Sequence, residues 1–383
     1  MRPVLHHFRT LVAFLIPGMV FVIWYCEQSE RPFSTIRQVL PETSIAITNS
    51  KDENFWRFQN MSFASSHATS IVAADERASE EAKVGLKILI LSSVGRSGSS
   101  FLAELISQLP NTFYVFEPMM FNEKSTSEGV NPRVTWDLLK NIFSCKFDHD
   151  WLLFARRRSL LRTGERNPCA RLQGTSALSC VREYCLKKTN IVIKVIRMRI
   201  SWITDLLTES GLDLKIIHLV RDPRATFRSS RAYVPTQKDY GIFCPRILED
   251  LQMIKSIQKL SPNTLTSVKY EDLCLDTEGV ATRLWRFISG DSEAGLPPTW
   301  SRYIEDHTNG SNRKGNAYST WRDTKKEAEE WRGQISTDLL QAVEEHCGGA
   351  IDLLGHNRFQ SLENVRNFSI PLMWTRKPPY TLT

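Results

Sequence analysis

KILILSSVGRSGSSF, from Lys87 to Phe101, passes from an apolar run (Ile88–Leu91) straight into a small polar loop that carries one arginine. The run is short, rich in isoleucine and leucine, and bounded by serine and glycine, so it reads as a buried strand. Beyond Gly98, the residues Leu102, Leu105, Ile106 and Leu109 recur at i, i+3, i+4 and i+7, one stripe of an amphipathic helix that Pro110 ends. A strand, a tight turn and a helix aim several free N–H groups and the positive end of a helix dipole at one point, a geometry that holds phosphate. Gly95 and Gly98 let the backbone come close to an anion. Ser97, Ser99 and Ser100 add hydroxyl donors, and Arg96 adds a fixed positive charge. On glycine and serine alone, an ordinary turn between strand and helix remains open.

Two specific versions of such a loop are excluded. The nucleotide-triphosphatase loop requires a lysine directly after its second glycine, and Ser99 stands there. The dinucleotide fingerprint G-x-G-x-x-G is absent as well. The loop therefore suits a phosphate-like group without the usual arrangement for holding magnesium.

A second stretch of the same design is KIIHLVRDPRATFRSSR, Lys215 to Arg231. Ile216–Val220 reads as another buried strand, and Asp222 followed by Pro223 is a helix start with aspartate at the N-cap. Arg221 thus lies where a strand gives way to a helix, the place where ligands sit in open α/β sheets. Ser229 follows two helical turns on. A structural Arg221–Asp222 ion pair and a solvated Ser229 are the bland alternative. Two loops carrying arginine and serine imply a ligand with two separated anionic groups.

The chain has 383 residues, 42% hydrophobic and 24% charged, with a formal charge of +7. That is a globular composition with room for one large core. The positive charge suits an anionic partner, but no nucleic-acid signature, basic tail or internal repeat accompanies it. Leu11–Tyr25 (LVAFLIPGMVFVIWY) is uninterrupted apolar sequence with Arg2 and Arg9 before it and Glu27 and Glu30 after it. It predicts an uncleaved signal-anchor helix over 11–26, with 1–10 cytosolic and the remainder luminal. A cleaved signal peptide is the rival. Residues 27–84 read as a polar stem, and 85–383 as one luminal domain. The sequons at Asn60, Asn309 and Asn367 fit that topology. Beyond the apolar run stand Cys145, Cys169, Cys180, Cys185, Cys244, Cys274 and Cys347, without a C-x-x-C pair. No metal is expected, and disulfides are, with one thiol left over and Cys169, Cys180 and Cys185 in one cluster.

Taken together, GRSGSSFL (Gly95–Leu102) and HLVRDPRA with its serine (His218–Ser229) resemble the Golgi carbohydrate sulfotransferases. The likeness is to the group that 6-O-sulfates galactose, N-acetylgalactosamine or N-acetylglucosamine in keratan, chondroitin and related glycans. YVFEP at Tyr114–Pro118, IVIKVIR at Ile191–Arg197, VKYEDL at Val268–Leu273 and the Ala317…Trp321-Arg322 segment extend it in the family's order, over Leu86–Gly355. Departures are Thr226, where the family often has valine, and RSSR, which leaves Arg228 before Ser229. Asn312-Arg313-Lys314-Gly315 is similar to a phosphate element of cytosolic sulfotransferases, displaced by one position.

The resemblance implies an α/β fold, a mostly parallel sheet with helices on both faces. It also implies the co-substrate 3′-phosphoadenosine 5′-phosphosulfate (PAPS). Gly95–Phe101 would hold the 5′-phosphosulfate, and Arg221 and Ser229 the 3′-phosphate. The acceptor would be a glycan or glycosaminoglycan, and a homodimer is left open. Sulfuryl transfer to a hydroxyl needs a base and cations for the leaving phosphate. Glu117 is the expected base, with a structural pairing to Arg96 as its alternative and His218 and Glu271 as fallbacks. Arg96 and Lys194 are the expected cations. Lys194 lies on an otherwise apolar strand, where it requires an anionic partner unless it snorkels from an edge. Arg156, Arg157, Arg158, Arg162 and Arg166 form a basic run that suits either an acidic glycan or a solvated face. A catalytically inactive glycan-binding protein of the same fold is the runner-up, and a kinase the third reading.

Overall fold

A computed structural model of the chain describes residues 11–16, 19–24, 85–125, 130–162, 168–203, 213–233, 239–308, 320–321 and 323–374. The stem, the sequons at Asn60 and Asn309, and Arg313 and Lys314 lie outside them. The chain divides into two compact units, Met1–Thr69 and Ser70–Thr383.

The first unit contains β1 (Leu11–Ile16) and β2 (Met19–Trp24), paired antiparallel. This corrects the expected helix over 11–26. Pro17 and Gly18 stand in the middle of the apolar run, the worst pair for a continuous helix, and the valines, isoleucines and aromatics around them favour extended backbone. Among the described residues no helix is long and apolar enough to cross a membrane.

The second unit is built on a five-stranded sheet of β3 (Lys87–Leu91), β4 (Thr112–Phe116), β5 (Asn190–Val195), β6 (Leu214–Val220) and β7 (Leu265–Lys269), in the order β4-β5-β3-β6-β7. Every pairing is parallel. Alternation along each strand splits the core in two. Leu89, Leu91, Phe113, Val115, Ile193 and Ile216 face one layer, and Ile88, Ile90, Tyr114, Val192, Ile217 and Leu219 face the other. Parallel strands are buried on both faces, which is why they read as continuous apolar runs. The second layer contains helix α1 (Ser99–Ile106), whose Leu102, Leu105 and Ile106 pack on it as the stripe predicted. The first contains α2 (Pro223–Tyr233), α3 (Tyr240–Leu260) and α4 (Thr337–His346). The expected sheet with helices on both faces is therefore present.

Three disulfides join Cys145 to Cys185, Cys169 to Cys180 and Cys244 to Cys347. The first two staple the long crossover between β4 and β5, and the third ties α3 to the residue after α4. Among the described residues the left-over thiol is the buried Cys274.

Candidate active site

The chain leaves β3 between its two neighbours. Leu91, the last residue of β3, is in register with Val195 on β5 and with His218 on β6. Since β3 connects towards one side of the sheet and β6 lies on the other, the loops after β3 and β6 open into the same crevice.

Within the first loop, Arg96 (φ 67°) and Gly98 (φ 89°) are both left-handed, with Ser97 between them. Left-handed residues in such a loop can curl successive N–H groups into a concavity suited to an anion. A left-handed arginine costs about 1–3 kcal/mol, strain that persists only where the surroundings over-determine it. Gly98 is required twice over, because a Cβ there would also lie 2.2 Å from the Tyr270 ring. Gly98 is the N-cap of α1 and supplies no side-chain cap, so the first turn keeps its N–H groups for another acceptor. The Ser97 hydroxyl is buried without a hydrogen-bond partner. Ser99 is buried, while Ser100 and Phe101 are half-buried at the start of α1.

The second loop meets it directly. Arg96 Nε donates to Ser229 Oγ at 3.1 Å, and Arg221 Nη1 donates to the Arg96 carbonyl at 3.1 Å. Arg221 lies over the Tyr270 ring, 4.3 Å from its centroid, while its Nε is buried and unpartnered. Among the described residues the alternative Arg221–Asp222 ion pair is not found. Asp222 is taken instead by Arg224, at 2.8 Å, and by His356 Nδ1, at 2.9 Å. Burial pushes the Asp222 carboxyl up, but Arg224 and His356 hold it far below the usual carboxylate range. The Asp222 N–H in turn donates to Glu271 Oε1 at 2.9 Å. Arg221 is thus carried on a rigid, buried undercarriage with its own charge uncommitted to any of these carboxylates.

A third group sits across β5. Glu117 follows the end of β4, left-handed at φ 47°, and its N–H continues the ladder to the Lys194 carbonyl at 2.8 Å. Its Oε1 accepts from Lys194 Nζ at 2.5 Å and its Oε2 from Arg197 Nη1 at 2.6 Å. The partners of Glu117 are therefore Lys194 and Arg197. Burial alone would raise the Glu117 pKa, but Lys194 and Arg197 hold it below its ordinary value. Lys194 is on an interior strand and only 2% exposed, so it does not snorkel from an edge. Sequence reasoning missed Arg197, although it closes IVIKVIR, and it missed Tyr270, which stands inside VKYEDL.

Both fallback bases are fully buried. His218 is fully buried between Ser93 and Ser267, at 3.3 and 3.1 Å, and burial pushes it down to about 3. Glu271 is fully buried beneath Asp222. In the basic run, Arg156 clamps the carbonyls of Ala170 and Leu172, and Arg162 stacks on Phe116 at 3.6 Å.

Residues 87–360 match the sulfotransferase domain family. The chain belongs to that family. This sulfotransferase is an enzyme whose curated relatives include mouse carbohydrate sulfotransferase 5, 28% identical over 76% of this chain and 85% of the relative. Mouse carbohydrate sulfotransferase 4 is 27% identical over 77% of this chain and 88% of its own. Among solved structures, the sulfotransferase domain of the Synechococcus PCC 7002 olefin synthase superposes with a TM-score of 0.39 at 15% identity, covering 69% of this chain and 96% of that one.

Proposed function

We propose that this sulfotransferase transfers the sulfuryl group of PAPS to a primary sugar hydroxyl of a glycan chain, the 6-hydroxyl of galactose, N-acetylgalactosamine or N-acetylglucosamine. Adenosine 3′,5′-bisphosphate is the second product. The observation that carries the reading is the convergence of two anion-binding loops at adjacent strand ends, beside a buried carboxylate. The fit to a bisphosphorylated nucleotide rests on the donors left over: the uncapped first turn of α1, the Ser97 hydroxyl and Arg221 Nε.

PAPS supplies an activated sulfuryl group on a phosphate leaving group. Gly95–Phe101 hold its 5′ end, and Arg221 and Ser229 its 3′-phosphate. Glu117 accepts the proton of the sugar hydroxyl as the new oxygen–sulfur bond forms. The bond from sulfur to the phosphate oxygen breaks, and its electron pair stays on the phosphate. Arg96 and Lys194 meet that growing charge. In-line transfer of this kind depends on positioning and electrostatics more than on covalent chemistry.

The relatives named carbohydrate sulfotransferases support a sugar acceptor, and three disulfides support an oxidising, luminal setting. A Golgi location with the N-terminal apolar run as membrane attachment is part of the same proposal. Transfer of radiolabelled sulfate from PAPS to a panel of desulfated glycans tests it. Incorporation at the 6-hydroxyl of one sugar is expected, and no incorporation into any glycan overturns the reading.

A further inference from the structure

The candidate base carries a contradiction. Both oxygens of the Glu117 carboxylate are already held by cations, a state that suits an ion pair better than a proton acceptor. The charged groups around it are Lys194 on β5, Arg197 just beyond it and Glu123 on the far side of Arg197. Arg162 lies over the neighbouring Phe116 ring with Glu104 behind it, and the buried Tyr114 hydroxyl completes the surroundings.

The two cations are not equivalent. Arg197 bridges two carboxylates, with Nη1 on Glu117 at 2.6 Å and Nε on Glu123 at 2.9 Å, so its planar fork is fixed. Lys194 is a point charge on a flexible stem. An ammonium has three donors, and the described partners of this one are a single Glu117 oxygen and the face of Phe116, 4.3 Å away. Spare donors on a buried ammonium imply a further acceptor. Lys194 also sits one residue before Val195, whose carbonyl takes the Ser92 N–H at 3.1 Å, where the anion loop begins.

We propose that Lys194 is shared between Glu117 and the incoming donor, so that PAPS draws the ammonium off the carboxylate and converts Glu117 from an ion-pair partner into a base. The coupling rests on the reading that this site holds PAPS. Arg197 remains as the positioning residue that keeps the freed carboxylate in place. Before the donor binds, the base is masked by both cations. Once it has bound, the Glu117 pKa rises towards its ordinary range, because an opposite charge has left and a negative one has arrived.

The consequence is a competition. Glu117 should oppose donor binding, because the Lys194–Glu117 contact is lost when the anion enters. Calorimetric titration with adenosine 3′,5′-bisphosphate, and with PAPS in the absence of acceptor, measures it. Glu117→Gln should bind both nucleotides about tenfold more tightly than the wild type, the equivalent of one pKa unit of charge interaction. Lys194→Met should bind more weakly, and the double variant no more tightly than Lys194→Met alone. Glu117→Ala removes the same carboxylate and should show the same gain, so a folding defect in one variant does not decide the matter. Unchanged or weaker binding by both Glu117 variants overturns the coupling alone. Absence of nucleotide binding by the wild type overturns the PAPS reading, and the coupling with it.

Discussion

Arg96 Nε donates to Ser229 Oγ across 3.1 Å, although 133 positions separate the two residues in the chain. Because the serine oxygen is the acceptor, its own hydrogen remains available to an anion. One bond therefore sets the spacing of two loops and orients a second donor.

Loss of binding should follow the charge rather than the fold at Arg221. Arg221→Ala should weaken adenosine 3′,5′-bisphosphate by about 1.5–3 kcal/mol, the worth of a hydrogen bond to a charged group, and Ser229→Ala by about 0.5–1.5 kcal/mol. Arg221→Lys should recover little, since an ammonium cannot reproduce the planar fork of the guanidinium that lies over Tyr270. Calorimetry with each purified variant gives the answer, and equal affinity for Arg221→Ala would place the 3′-phosphate elsewhere.

At Glu117 the expected loss is in turnover. Glu117→Gln keeps the volume but not the proton acceptor, so kcat at saturating PAPS should fall about 10²–10⁴-fold. Steady-state sulfate transfer measures it. Full turnover in this variant would make the carboxylate a purely structural partner of Lys194 and Arg197.

Gly98→Ala should be costly in two ways that can be separated. The left-handed backbone alone costs about 1–2 kcal/mol for a residue with a Cβ. The new methyl group would also lie 2.2 Å from the Tyr270 ring. Thermal unfolding should show a clear drop in Tm, part of which returns when Tyr270 is truncated to leucine in the same chain. No drop in the single variant would mean that the loop relaxes more readily than its packing indicates.

His218 gives the fold a defined pH response. Burial pushes it down to about 3 from an ordinary 6.5, so between those values the unfolded chain binds a proton that the folded chain refuses. Its contribution to stability is therefore whole above about 6.5 and declines as pH falls towards 3, by at most about 1.4 kcal/mol per pH unit. Urea unfolding across this range should give a slope that His218→Asn flattens, since asparagine keeps a donor for Ser93 without a titrating ring. An unchanged slope would show that other groups dominate.

The strands and the two loops that follow β3 and β6 were legible because their signals are local. An apolar run, a glycine and the next helical stripe lie within about a dozen residues, and parallel strands advertise themselves by being apolar on both faces. The start of α2 was legible for the same reason, from Asp222-Pro223. What Lys194 faces was not legible, because its partner arrives from β4 through the sheet register. Arg197 and Tyr270 were overlooked since nothing near them in sequence marks a cation that cages a carboxylate or a ring that supports a glycine. Disulfide partners are likewise set by the fold, which joined Cys145 to Cys185 and left Cys180 to Cys169. At Leu11–Tyr25 hydropathy alone led to a helix, and the Pro17-Gly18 pair was underweighted.

The placement of β3 between β5 and β6 also bears on biosynthesis. As the chain is made, the first loop emerges long before the residues that complete it, so a nascent polypeptide lacking Ser229 has only half of the proposed nucleotide site. That half cannot mature early by local contacts, because its framework is a pairing between distant segments, the slow kind to form. Ligand capture should therefore appear late and abruptly during synthesis, once the central strands have closed. From that moment a nucleotide that fits the proposed site would act by mass action on the finished molecule alone.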